Sequence, residues 1–180
     1  MEEQLIIAGF GGQGVLLMGQ LLAQCGMMEG REVSWMPAYG AEMRGGSANC
    51  SVVISDLPIG SPKVERADAV LAMNRVSMEL FEGNVAPGGM LFINSSLIKI
   101  QSARSDVRVV SVPATTIAQE LGNPRVANMA MLGAYIKATG MFSPEALVEA
   151  LRVKLGPARE KLIPTNREAI MAGMERSTQA

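Results

Sequence analysis

Histidine is absent from the 180-residue chain, and cysteine and aromatic residues are scarce. Without histidine there is no Ser-His-Asp or Cys-His catalytic group and no His-containing zinc site. Cys25 and Cys50 lie 25 positions apart and form no C-x-x-C pair. Iron–sulfur clusters and four-cysteine zinc sites need more thiolates than this. The sequence therefore predicts no catalytic residue and no metal site within the chain, and it predicts both cysteines in the core.

An excess of charge of one sign is missing as well. Lys and Arg number 16 against 17 Asp and Glu, and aromatic residues make up 4% of the chain. Nucleic-acid binders normally carry a basic patch or a set of stacking rings, so we expect no nucleic-acid partner. The longest apolar run, near 15–28, is too short and interrupted to span a bilayer, and no secretory signal is visible. We expect no membrane partner and a cytoplasmic location, where two lone thiols stay reduced.

Hydrophobic residues, in contrast, make up 48% of the chain, which excludes intrinsic disorder. Continuous apolar runs predict buried strands, and longer patterns that end at glycine or proline predict helices. Strands are predicted at 5–8, 32–36 (stopped by Pro37), 49–55, 69–73, 90–93 and 107–112, and helices at 15–28, 77–81, 115–121, 124–139, 144–155 and 166–174. The pattern predicts one α/β domain over residues 1–180, with three layers (α/β/α), a largely parallel sheet and a frayed end at 176–180.

A glycine-rich loop, Gly9-Phe10-Gly11-Gly12-Gln13-Gly14, separates the first predicted strand from the first predicted helix. Glycines allow close approach of the backbone to a phosphate, and the free N–H groups at a helix N-terminus favour an anion. This Rossmann-like loop gives the cofactor-binding candidates Gly9, Gly11, Gly12, Gln13 and Gly14. A nicotinamide or flavin site also requires an acidic residue at the end of the second strand, but Glu32 lies near its start. A tight turn without a ligand remains an alternative.

A second polar loop, Tyr39-Gly40-Ala41-Glu42-Met43-Arg44-Gly45-Gly46, follows the second predicted strand. Its adjacent glycines give conformational freedom, and Arg44 is a permanent cation suited to a carboxylate or a phosphate. Loops at the carboxyl edge of a sheet often carry function, and this one should lie beside the first if their strands are neighbours. The candidates here are Tyr39, Glu42, Arg44, Gly45 and Gly46, the alternative being a solvated loop with a Glu42–Arg44 pair.

The order of several motifs along the chain resembles a known family. The motifs are Gly9 to Val15, Trp35 to Pro37, Tyr39 to Gly46, Cys50 to Ile54, and Ser61-Pro62. Together they resemble the gamma subunit, or gamma domain, of the 2-oxoacid:ferredoxin oxidoreductases. The resemblance covers nearly the whole chain and is strongest from Leu5 to Asp68.

This resemblance implies a subunit rather than a complete enzyme. The family oxidatively decarboxylates a 2-oxoacid with coenzyme A, yielding an acyl-CoA, carbon dioxide and reduced ferredoxin. Thiamine diphosphate, magnesium and iron–sulfur clusters are then expected in alpha, beta and delta partners, with no tightly bound cofactor in this chain. The chain itself would serve assembly and contact coenzyme A, and it would meet ferredoxin through the complex. Its 14 methionines suit broad subunit contacts and a homo-oligomer in isolation.

A second hypothesis is a free-standing Rossmann-type nucleotide-binding protein or reductase. A flavin or nicotinamide spectrum in the purified chain would favour this alternative, whereas co-purification with thiamine-dependent partners would favour the subunit. The sequence leaves open which 2-oxoacid is used and how many copies of each subunit assemble.

Overall fold

The computed structural model of the protein describes residues 1–39 and 46–179, the side chain of Tyr39 excepted. The strands are β1 (Glu2–Phe10), β2 (Glu32–Tyr39), β3 (Ser47–Ser55), β4 (Ala67–Ala72), β5 (Val85–Asn94), β6 (Arg108–Val112) and β7 (Thr178–Gln179). The helices are α1 (Val15–Met28), α2 (Arg75–Phe81), α3 (Ala114–Glu120), α4 (Ala127–Thr139), α5 (Pro144–Leu155) and α6 (Ile163–Arg176). Short 3-10 helices lie at Glu82–Asn84, Pro124–Val126 and Pro157–Leu162.

All seven strands form one sheet in the order β2-β3-β1-β4-β5-β6-β7. Strands β1, β4, β5 and β6 pair in parallel, which confirms the predicted parallel sheet in its centre. The flanks are antiparallel, because β3 pairs in the opposite direction with both β1 and β2, and β7 does so with β6. Consequently β1 and β2 are not neighbours. The predicted proximity of the glycine-rich loop and the second loop depended on these two strands being adjacent.

The second strand runs three residues beyond its predicted stop. Pro37 lies inside β2, opposite Cys50 of β3, and the strand continues to Tyr39. β2 is an edge strand of the sheet. A proline is tolerated there because an edge residue whose N–H would face solvent has no ladder hydrogen bond to lose. The prediction that Pro37 ends the strand was therefore wrong.

The two faces of the sheet are covered unequally. One face carries α1 and α3–α6 over the larger hydrophobic core, which includes the completely buried Leu5, Phe92 and Tyr135. Within the described part of the chain, α2 is the only α-helix on the other face, which is also covered by loop residues such as Ile59 and Ile98. The predicted three layers are thus present, with a single short helix as the second helical layer.

Helix α1 is enclosed on more than one side, as its broad apolar surface predicts. It packs on β1, β2 and β3 and also against α4 and α5. Gly19 and Gly26 face the sheet, where an added Cβ would lie 2.6 Å from Cys50 Sγ and 2.8 Å from Val33 Cγ2 respectively. The helix therefore sits close to the β2–β3 hairpin, which fixes the start of α1 at the carboxyl edge of the sheet.

Residues 176–179 are ordered in secondary structure, unlike the frayed segment predicted at 176–180, of which Ala180 lies outside the described residues. Arg176 ends α6 and pairs with Glu120, and Thr178 and Gln179 then form β7 against Ser111 and Val110. No helix within residues 1–39 and 46–179 has the combined length and apolar character needed to cross a membrane.

Candidate functional site

The glycine-rich loop lies at the carboxyl edge of the sheet, between β1 and α1. Gly12 and Gly14 have left-handed backbone angles, with φ of 93° and 75°. Gln13 N–H donates to the carbonyl of Phe10 at 3.1 Å, which closes a tight turn. Gly14 is the N-cap of α1 and supplies no side-chain cap to the helix.

The glycines of this loop serve different purposes. A Cβ on Gly9 would lie 2.8 Å from both Gln13 Oε1 and Val15 Cγ1, and a Cβ on Gly14 would collide with the side chain of Asn128. A Cβ on Gly12 would meet nothing within 4 Å. Packing therefore requires glycine at positions 9 and 14, whereas Gly12 is an exposed backbone position whose angle favours glycine.

The first turn of α1 presents backbone donors. The first hydrogen bond of the helix runs from Met18 N–H to the Gly14 carbonyl at 3.0 Å. Among the described residues, none accepts a hydrogen bond from the N–H groups of Val15, Leu16 and Leu17, and the first turn holds no acidic side chain. These donors and the positive end of the helix dipole can stabilise an anion.

A cavity of about 330 Å³ opens beside these donors. Its wall is mostly apolar and includes Phe10, Leu17, Ala38 and Ala48, while the glycine backbone forms another part. The arrangement suits a ligand that joins an anionic group to an apolar chain.

Gln13 holds the loop to the neighbouring strand ends. Its Oε1 accepts from Phe10 N–H at 2.7 Å and from Asn74 Nδ2 at 3.0 Å, and its Nε2 donates to the Met73 carbonyl at 3.3 Å. Both lone pairs of the amide oxygen are thereby used within the protein. Gln13 thus lies at the predicted site with its amide bonded to the protein itself.

Gly46, at the end of the second loop, contacts the glycine-rich loop. The Gly46 carbonyl accepts a hydrogen bond from Gly11 N–H at 3.1 Å, and Ser47 pairs with Phe10. The end of the second loop therefore contacts the glycine-rich loop although β1 and β2 are separated by β3. Glu42, Arg44 and Gly45 lie outside the described residues, as does the side chain of Tyr39.

Sequence reasoning missed a set of buried amides at this edge. Asn74 and Asn94 are 3% and 0% exposed and follow or end the apolar strands β4 and β5. Asn94 Nδ2 donates to the Met73 carbonyl at 3.2 Å and to Thr115 Oγ1 at 2.9 Å. The sequence feature that could have revealed them is an asparagine directly after each apolar run. Asparagine is rarely buried, so a buried one at a strand end indicates a hydrogen-bonding role.

The two cysteines are buried and keep their protons. Neither side chain has any exposed surface, and burial raises the pKa of each thiol to about 12. Since the thiolate is the form that reacts and binds metals, these positions are unsuited to either role. Within residues 1–39 and 46–179, no three His, Cys, Asp or Glu side chains are grouped to hold a metal ion.

The sheet order defines a mixed α/β domain, in which the glycine-rich loop and the first N–H groups of α1 lie at the carboxyl edge of the sheet. The sequence matches the family of pyruvate ferredoxin/flavodoxin oxidoreductases over residues 4–176. The chain belongs to this family, which confirms the resemblance drawn from its motifs.

Two curated relatives illustrate the match. Ketoisovalerate oxidoreductase subunit VorA of Methanothermobacter marburgensis is 42% identical over 97% of this chain, but the chain spans only 36% of that protein's length. The 2-oxoglutarate synthase subunit KorC of the same organism is 34% identical over 97% of this chain and over its own full length. The domain thus occurs both alone and within a longer polypeptide.

Solved structures show the same fold. The gamma subunit of a keto/oxoacid ferredoxin oxidoreductase from Geobacter sulfurreducens is 27% identical, with a TM-score of 0.85, over 98% of this chain and 96% of that one. The 2-oxoglutarate:ferredoxin oxidoreductase of Magnetococcus marinus, solved with 2-oxoglutarate, coenzyme A and succinyl-CoA, is 25% identical with a TM-score of 0.88. The match covers 99% of this chain and 32% of the second protein's chain.

Proposed function

We propose that this chain is the gamma subunit of a multi-subunit 2-oxoacid:ferredoxin oxidoreductase. The support is its membership of the family together with the full-length match to subunit KorC. The reaction of the complex would convert a 2-oxoacid and coenzyme A into an acyl-CoA and carbon dioxide, with two electrons passed to ferredoxin. The chain would act as an assembly module and would contact coenzyme A.

The main support for coenzyme A is that the first N–H groups of α1, which donate to none of the described residues, lie beside an apolar cavity. Coenzyme A combines phosphate groups with a flexible, largely uncharged pantetheine arm. The N–H groups at Val15, Leu16 and Leu17 suit a phosphate, and the cavity beside Phe10 and Ala48 suits the arm. Tyr39, Glu42, Arg44, Gly45 and Gly46 remain proposed coenzyme A-contacting residues, and the hydrogen bond between Gly11 N–H and the Gly46 carbonyl supports this for Gly46.

The thiamine diphosphate, magnesium and iron–sulfur clusters of the proposed complex belong to its alpha, beta and delta parts. The length of VorA beyond the matched region supports a close polypeptide partner, because in that protein the equivalent domain is joined to further chain. We infer that this chain meets a separate subunit at the corresponding surface, and that it self-associates when isolated.

The alternative of a free-standing nucleotide-binding protein is not favoured. Family membership supports the subunit, and β2 brings no acidic side chain to the carboxyl edge within the described residues. Glu32 lies at the opposite end of that strand. Among the residues that the structure describes, the acidic partner of a dinucleotide ribose is therefore missing from its usual place.

The substitution Gly12→Val in the assembled complex tests the coenzyme A contact. A β-branched residue with φ near 93° must shift the backbone beside the donors. The expected result is a rise of roughly tenfold in the coenzyme A KM, the effect of losing about one hydrogen bond to a charged group. Gly30→Val is the matched control, because Gly30 also has a positive φ and open space but lies at the other end of α1.

An unchanged coenzyme A KM in an intact Gly12→Val complex would contradict the contact.

Purification of the native complex followed by assays with a panel of 2-oxoacids would identify the substrate. Recovery of the chain alone, with bound flavin or nicotinamide, would instead support the alternative function.

A further inference from the structure

We infer that Gln13 is a positioning residue that fixes the glycine-rich loop for coenzyme A before the ligand arrives. This inference rests on the proposed coenzyme A contact. It concerns a side chain that stabilises the binding backbone rather than one that touches the ligand.

The geometry around Gln13 requires both an acceptor and a donor. The Phe10 N–H can only donate and the Met73 carbonyl can only accept, so the amide can adopt a single orientation. Glutamate has no donor for Met73, and an apolar residue serves neither group. Glutamine is the residue type whose chemistry satisfies both at this reach.

The network beyond Gln13 is largely buried and connects four elements of the fold. Asn74 donates to Gln13 Oε1 and, as the N-cap of α2, accepts from Ser77 N–H at 2.9 Å. The Met73 carbonyl also accepts from Asn94, whose side chain is bonded to Thr115 of α3. The loop is thus tied to the ends of β4 and β5 and to the starts of α2 and α3.

Such bracing matters because an ordered loop avoids an entropic cost on binding. A flexible glycine-rich loop would lose conformational freedom when its N–H groups close on a phosphate. With Phe10 and Gln13 held in place, the donors of α1 keep their spacing without the ligand. Loss of the brace should therefore weaken coenzyme A binding and leave the chemical step, which takes place in partner subunits, unchanged.

The principal test is Gln13→Met in the assembled complex, which keeps the side-chain length and removes all three hydrogen bonds. We expect the coenzyme A KM to rise about tenfold, with kcat and the KM for the 2-oxoacid within twofold of the wild-type values. Gln24→Met, within α1, is the matched control, because the described residues form no hydrogen bond with the Gln24 side chain.

Asn74→Asp provides a milder and independent variant. Its carboxylate can still cap α2 at Ser77, but it places an oxygen against Gln13 Oε1 where an amide donor stood. The expected rise in the coenzyme A KM is about threefold, and it should vanish in the Gln13→Met background because the effect passes through Gln13. A purely structural role of Asn74 would instead add to the effect of Gln13→Met.

Hydrogen exchange of residues 10–17 in the wild-type complex distinguishes the positioning role of Gln13 from the coenzyme A contact itself. Protection of this segment by coenzyme A, combined with the expected KM changes, supports the brace. Protection with an unchanged KM in both variants overturns the role of Gln13 while the coenzyme A contact stands. Absence of protection overturns the contact itself, and the inference with it.

Discussion

Helices α4 and α6 pack in close backbone contact where Gly133 and Gly173 face the other helix. The substitution Gly133→Ala should therefore destabilise the fold. A Cβ added to Gly133 would collide with the backbone carbonyl of Ile170, and one added to Gly173 would collide with that of Ala130. The obstacle in both cases is backbone, which cannot move aside by changing rotamer. The two helices would have to separate for an alanine to fit.

The magnitude follows from two opposing effects. Forcing an extra methyl group into a packed contact costs about 1–3 kcal/mol, and a backbone obstacle places this case at the upper end. Alanine in place of glycine in a helix returns up to about 1 kcal/mol. The net loss is about 2 kcal/mol, which for a chain of this size corresponds to a fall in Tm of roughly 4–8 °C.

Thermal unfolding followed by circular dichroism measures this change. Gly83→Ala is the control, because its added Cβ would meet nothing within 4 Å. We expect the control to unfold within about 2 °C of the wild type, as for a surface change of up to 0.5 kcal/mol. A Gly133→Ala protein as stable as the wild type would show that α4 and α6 do not approach as closely as described.

Two further predictions concern buried titratable groups. Burial, and next the charge of Asp68, raise the pKa of Glu3 above 4.5, so its contribution to stability is lost as the pH rises from about 4.5 through the folded-state pKa. The amide of a Glu3→Gln variant can still accept the hydrogen bond from Tyr135 Oη but does not titrate. The free energy of unfolding of this variant, measured in urea, should therefore fall less over this pH range than that of the wild type. An equal fall in the two proteins would contradict the raised pKa. Cys25 and Cys50, with a pKa of about 12 each, should react with a thiol reagent at pH 8 only on unfolding, and fast labelling of the native protein would contradict their burial.

Local sequence signals located the glycine-rich loop and the boundaries of several helices. The helix over 144–155 and the end of the preceding helix at 139 occur as predicted, because the Ser143 and Gly140 caps that bound them depend on residues close in sequence. The insertion of β3 between β1 and β2 was not predictable in this way, since strand pairing is decided by distant residues. The tolerance of Pro37 depends on that same pairing order.

At the candidate site, too, features set by neighbouring residues could be predicted from the sequence, whereas contacts between residues distant in sequence could not. Left-handed angles at Gly12 and Gly14 follow from a strand–glycine–helix pattern that is visible in the sequence. The brace at Gln13 depends on Met73 and Asn74, about 60 positions away. Its hydrogen-bonding role could therefore be recognised only once β1 and β4 were placed side by side.

The last prediction is that the isolated chain does not oxidise 2-oxoacids. Decarboxylation leaves a carbanion that needs an electron sink such as thiamine diphosphate, and side chains alone cannot supply one. Electron transfer to ferredoxin then needs iron–sulfur clusters held by about four thiolates each, whereas Cys25 and Cys50 are buried and protonated.

Purified alone, the protein should therefore be colourless and should not reduce a viologen dye with any 2-oxoacid. Mixing it with the proposed alpha and beta partners should restore reduction that depends on both the 2-oxoacid and coenzyme A. The Gly12→Val chain serves as an internal comparison, because it should assemble with the same partners and yet require more coenzyme A. Stoichiometric iron in the isolated chain, or dye reduction without partners, would refute the assignment of the redox chemistry to other subunits.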